Sequence, residues 1–239
     1  MTNTVSGIIH GESGAGKTWL LETMPGPRLI ADTEGRTKYL RNTPKVEWNP
    51  RTEDPNTLAI EENTTIIAKV RDYPELESVG QWLASGKHPF KSFGLDSVTE
   101  AQKRKKDKIT GENQMELQNW GELLRAIEKL ARGIRDLTDH PTNPLMCALM
   151  IAGTQKKNGQ LRPMLEGAIS LNIPYYLDLN GYLYTVMDPA TSKLRRALQI
   201  QPFNGIVAKD GTDLLTQHYG HTIFDPNFTE ILEVLNGGR

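Results

Sequence analysis

Residues 11–18 read Gly11-Glu12-Ser13-Gly14-Ala15-Gly16-Lys17-Thr18 and fit the pattern G-x-x-x-x-G-K-[S/T] at every position. Glycines at these places let the backbone curl so that its N–H groups face phosphate oxygens. The positive end of the following helix adds to that field. Lys17 is placed to reach the β- and γ-phosphates, and the Thr18 hydroxyl to ligate Mg²⁺. The context is the one the mechanism requires. A strand is predicted over Val5 to His10, and a helix over Thr18 to Met24 that ends at Pro25, Gly26 and Pro27.

Length and charge limit what else the chain can be. Its 239 residues suit one large α/β domain or two small ones. With 28 Lys+Arg against 29 Asp+Glu, a polycationic wrapper of nucleic acid is excluded, while a local basic patch is not. The single cysteine, Cys147, lies in the apolar run CALMIAG and reads as a core residue. MTNTVSG is no secretory signal, and no apolar run approaches the ~18 residues needed to cross a bilayer. These features point to a soluble cytoplasmic protein with no membrane partner.

Strands are expected at Arg28 to Asp32, Val46 to Trp48, Thr65 to Val70, Ser92 to Asp96 and Leu145 to Ala152, with a helix over Pro74 to Ala84. A long amphipathic helix is marked by Leu117, Trp120, Leu124, Ile127, Ala131, Ile134 and Thr138. Beyond Tyr182 come short strands at Leu183 to Met187, Leu198 to Gln201 and Gly205 to Ala208, then a helix at Glu230 to Leu235. The expected fold is α/β, a parallel-core twisted sheet flanked by helices with antiparallel strands added in the C-terminal third. One domain is expected, its core over about 5–211 and its last strands and short helix over about 212–236.

Hydrolysis needs an acidic group for the metal and a base for the water. Asp96, at the end of Ser92-Phe93-Gly94-Leu95-Asp96, is the candidate for holding Mg²⁺. Two glutamates compete for the second role. Glu34 follows the strand ending at Asp32, at the C-terminal end of a strand, where open α/β folds bind ligands. Glu100 stands in Ser97-Val98-Thr99-Glu100, a capping box that already gives it structural work, so Glu34 is favoured. The chain has no arginine-rich lid and no N/T-K-x-D guanine-reading motif, which favours ATP over GTP and argues against a small-molecule kinase.

The order GESGAGKT, ADTEG, GLDSVTE, IAGTQ resembles the RecA-like P-loop ATPases, and more closely the short phage-encoded members associated with single-strand annealing. RPMLEG, LDLNGYL and VAKDG later in the chain are similar to the same group. The resemblance runs from about Val5 to Gly211. It implies a RecA-like P-loop NTPase fold, an ATP and Mg²⁺ requirement, and DNA-stimulated ATPase activity in phage recombination or annealing. It implies Glu34 as the catalytic glutamate and Asp96 as the Mg²⁺-supporting aspartate. Gln155 would sense the γ-phosphate, and Lys209 would reach a neighbouring subunit's ATP, with Arg195 and Arg196 as alternatives. The partners it implies are single-stranded DNA, further copies in a ring or filament, and a single-strand-binding protein, in the host cytoplasm.

Two basic stretches are candidates for DNA: Lys156, Lys157 and Arg162 in a loop expected to be mobile, and Lys103, Arg104, Lys105 and Lys106, which also read as a solvated helix face. His218 and His221, spaced H-x-x-H with no cysteine nearby, are read as ordinary surface or core histidines. Two other functions fit the same motifs. One is a motor or loader ATPase of this fold, and the other is a nucleotide-binding assembly protein with little turnover.

Overall fold

A computed structural model describes residues 3–111 and 113–238. The elements in chain order are β1 (Val5–His10), α1 (Lys17–Leu21), β2 (Arg28–Asp32), β3 (Lys45–Trp48), β4 (Thr65–Lys69), α2 (Tyr73–Ala84), β5 (Ser92–Asp96), α3 (Val98–Thr110) and α4 (Leu117–Asp136). There follow β6 (Cys147–Ala152), β7 (Thr154–Lys157), β8 (Gln160–Pro163), α5 (Ile169–Tyr176), β9 (Leu179–Met187), β10 (Leu194–Gln199), β11 (Lys209–Asp210), α6 (Leu214–Tyr219), β12 (Thr222–Phe224) and α7 (Phe228–Leu235).

The main sheet runs β12-β10-β9-β1-β6-β5-β2-β4-β3, with β11 also paired to β9. From β9 to β3 every pairing is parallel, whereas β10, β11 and β12 join antiparallel. The expected mixture of parallel core and antiparallel extension is therefore present. Strands buried on both faces need apolar residues on both, and β1 supplies them: Ile8 packs with α2 to α5, Ile9 with α1, α6 and α7. Phe228, Ile231, Leu232 and Leu235 of α7 belong to the same cluster as Val5 and Ile9. The C-terminal segment is thus packed into the core around the loop-bearing strand.

Several elements differ from the sequence expectation. Residues 156–162 are not an irregular loop. They are most of the β7–β8 hairpin, turned by Asn158 (φ 52°) and Gly159 (φ 77°), the Asn-Gly pair that suits a tight hairpin turn. Gly205 to Ala208 is no strand. It makes isolated bridges only, and pairing with β9 begins at Lys209. Leu117, 90% exposed, and Trp120 lie off the buried stripe of α4, which consists of Leu123, Ile127, Ala131 and Ile134. The first turn of α4 runs past the layer it packs on, and Lys106 covers the Trp120 ring with its Nζ 5.3 Å from the centroid. Cys147 is fully buried, as expected.

Candidate active site

The loop between β1 and α1 ends at Gly16, which caps α1 with φ 96°. A side chain there would be strained, and its Cβ would collide with the Arg196 guanidinium. Lys17 Nζ donates to the carbonyls of Gly11 (2.7 Å) and Glu12 (2.8 Å). Burial holds the Lys17 ammonium below the ordinary lysine value, while the Asp96 and Glu34 carboxylates oppose that shift. Thr18 Oγ1 donates to Asp96 Oδ2 at 2.6 Å. A hydroxyl and a carboxylate oxygen at the loop's end are hard donors of the kind Mg²⁺ takes, so these residues fit that ion.

Asp96 is 2% exposed, and burial pushes its carboxyl up to about 6 from 3.8, against the hydrogen bond from Thr18. A carboxyl whose value is higher folded than unfolded stabilises the fold when protonated, and that contribution is lost as pH rises through the folded value. Asp96→Asn is therefore expected to stabilise the protein at pH 7.5 by up to about 3 kcal/mol, from a shift of about two units. The gain should vanish near pH 4. Urea unfolding of both proteins at the two pH values measures it.

Register brings the second acid in. β2 and β5 pair in parallel with Asp32 opposite Asp96. Thr33 stitches the two strand ends: its N–H donates to Asp96 O (2.7 Å) and its hydroxyl accepts from Ser97 N–H (2.8 Å). Buried Asp32 holds the next turn by accepting from the N–H groups of Glu34 (3.2 Å) and Gly35 (2.7 Å). Glu34 consequently emerges beside Ser97, whose hydroxyl donates to Glu34 Oε1. Arg36 Nε lies 3.0 Å from Glu34 Oε2.

Glu100 is placed differently. Ser97 caps α3 by accepting from Glu100 N–H at 3.2 Å. The reciprocal half of the capping box is absent, because Ser97 N–H is used by Thr33. The Glu100 carboxylate pairs instead with Lys103 (3.7 Å) and Arg104 (3.5 Å).

These groups converge on one cavity of about 800 Å³, lined by the loop and by Trp19, Glu34, Arg36, Tyr39, Asp96, Glu100, Lys103, Arg104 and Thr154 among others. That volume suits a nucleotide. A profile described as an AAA domain matches residues 3–212. The chain belongs to this AAA domain family. Its members are P-loop ATPases, which accords with the loop, the acid at β5 and the cavity between them. No curated protein matches the chain.

The remaining candidates fall in several places on this AAA domain. Gln155 does not line the cavity. Its amide donates to the carbonyls of Pro163 (3.1 Å) and Leu165 (2.9 Å), because alternation along β7 turns Thr154 inward and Gln155 toward the chain after β8. Thr154 Oγ1 instead lies 3.0 Å from Nδ1 of buried His10. The other ring nitrogen of His10 meets Val207 O at 3.2 Å, and burial lowers the imidazole to about 4. A neutral His10 thus joins the loop strand, the hairpin and residue 207, a link the sequence reading did not contain.

Lys209 Nζ donates to Pro174 O (3.3 Å) and Leu177 O (2.9 Å). Arg195 pairs with Asp225 (2.8 Å) and Asp188 (3.8 Å), and Arg196 stacks 4.2 Å over the Trp19 ring. Lys103 and Arg104 line the same cavity as the loop. Lys105 pairs with Glu122 (3.0 Å) and Lys106 with Glu166 (3.0 Å). Arg162 is 6% exposed and bonded to Gln160, because its β8 position faces inward. Lys156 and Lys157 are exposed and make no ion pair among the described residues. No described helix is long and apolar enough to cross a membrane.

Proposed function

We propose that this AAA domain is a RecA-like ATPase that hydrolyses ATP and binds single-stranded DNA, acting in phage DNA recombination or annealing. The observation that carries the reading is the convergence of Lys17, Thr18, Asp96 and Glu34, drawn from three separate strand ends, on one nucleotide-sized cavity. Thr18 and Asp96 would hold Mg²⁺, which, when bound, neutralises charge on the phosphate oxygens. Lys17 orients the terminal phosphates. Glu34 accepts a proton from the attacking water, and Ser97 fixes its carboxylate for that task.

DNA binding is supported by the β7–β8 hairpin. It begins two residues after β6 ends beside the cavity, and its tip carries the unpaired Lys156 and Lys157. The segment 203–207 lies against it through Leu161 N–H to Gly205 O (2.8 Å) and Val207 N–H to Leu161 O (2.9 Å), and brings Phe203, 60% exposed, to the same region. Lysines for phosphates and an aromatic ring for bases are what single strands bind. Thr154 on the cavity wall and Gln155 on the hairpin backbone give the two sites a shared element. Assembly into a ring or filament and a single-strand-binding protein as partner belong to the same proposal.

The test is ATP turnover and strand binding, with and without single-stranded DNA, at several salt concentrations. Turnover should rise on adding DNA. Lys156→Ala with Lys157→Ala should weaken binding and reduce the salt slope by roughly one to two, about one per lost phosphate contact. Turnover indifferent to DNA, together with an unchanged slope, would leave only the ATPase half of the proposal standing.

A further inference from the structure

We propose that Arg36 is a catalytic cation in cis, whose guanidinium holds the transferring γ-phosphoryl while its Nε side holds Glu34. This rests on the ATPase reading above. Arg36 lines the cavity and sits two residues beyond Glu34 in the turn that Asp32 organises. Its Nε is 3.0 Å from Glu34 Oε2. Its two terminal amino groups have no hydrogen-bond partner among the described residues, and the side chain is 56% exposed.

The other cations near this edge are committed. Lys17 is on the loop carbonyls, Lys103 pairs with Glu100, and Arg104 donates to the carbonyls of Arg71 and Thr33. Lys209, Arg195 and Arg196 are held by other parts of their own chain. Arg36 alone among these lines the cavity with its terminal amino groups unused.

The chemistry gives those groups work. The water oxygen bonds to the γ-phosphorus, one of its protons passes to the Glu34 carboxylate, and the bond from phosphorus to the β–γ bridging oxygen breaks with its electron pair leaving on ADP. Negative charge spreads over the γ-oxygens as this happens, and a planar fork of N–H donors stabilises it. An arginine so placed contributes ~10³-fold or more to turnover in related phosphoryl transfers. Placing it on the same turn as the base aligns both groups without a neighbouring subunit.

The test uses Arg36→Ala and Arg36→Lys in the full chain, and reads both turnover and binding of ADP with aluminium fluoride, a mimic of the transferring group. Trp19, on the cavity wall, reports binding by fluorescence. Arg36→Ala should bind ATP and ADP within a fewfold of the unmodified chain, and lose ~10³-fold or more in kcat. It should lose a similar factor in affinity for ADP with aluminium fluoride, and Arg36→Lys should recover part of it. The decisive arm repeats the binding in a Glu34→Gln background. There the loss on removing Arg36 must persist, since the neutral amide that replaces the carboxylate is no longer an ionic partner. Equal affinities with and without the guanidinium in that background would overturn the assignment and leave Arg36 as a positioning residue for Glu34. This arm needs no turnover, so failure of the ATPase reading, seen as an unmodified chain that does not hydrolyse ATP, is told apart from failure of the Arg36 assignment.

Discussion

Lys17→Ala is expected to reduce ATP hydrolysis to background and ATP affinity by ~10²-fold. The side chain carries the loop's only cation, and its Nζ is held at the rim by the Gly11 and Glu12 carbonyls, 2.7 and 2.8 Å away. A charge-assisted hydrogen bond to phosphate is worth about 3 kcal/mol, hence about two decades in affinity. The fold should survive, because the carbonyls left behind border an open cavity where water reaches them. Calorimetric titration with ATP and a phosphate-release assay read the two effects separately. Normal turnover in Lys17→Ala would remove the loop from the chemistry.

What the sequence made legible follows from what each residue's position demanded of it. β1, β2 and β5 were readable to the residue because each is buried on both faces and bounded by turn residues. Helix α3 showed in the sequence only as a capping box and a charged helix face, without bounds. Its body is Lys103-Arg104-Lys105-Lys106-Asp107-Lys108, and only Val98, Thr99, Ala101 and Gln102 are buried, so the apolar period never develops. The Asn158-Gly159 pair was a usable hairpin signal hidden between charges. At the site, the roles of Lys17, Thr18 and Asp96 could be read from motif and strand end. The company Glu34 keeps could not, because it depends on a register that sets Asp32 beside Asp96. The pairing within the stretch 103–106 was hidden for the same reason. The partners of Lys105 and Lys106 are Glu122 and Glu166, far along the chain, and no local pattern announces them. Arg36 belongs to no motif in the sequence, and only its place in the folded turn sets it beside Glu34.

Glu34→Gln is the second large effect expected, a fall in kcat of ~10²–10⁴ with ATP affinity within a fewfold of normal. Glutamine keeps the shape and the Ser97 contact but cannot take a proton from water. The competing candidate makes the result decisive. Glu100 also borders the cavity, and its carboxylate lies between Lys103 and Arg104, where it serves as their counter-ion. Glu100→Gln should therefore alter turnover little and chiefly change the charge presented by those two cations. Single-turnover measurements on both variants separate chemistry from binding and product release. A large loss in Glu100→Gln with little in Glu34→Gln would exchange the two roles, and with them the reason for the turn built on Asp32. A loss in both would mean that the α3 cations act on the nucleotide through Glu100, since Lys103 and Arg104 already stand on the cavity wall.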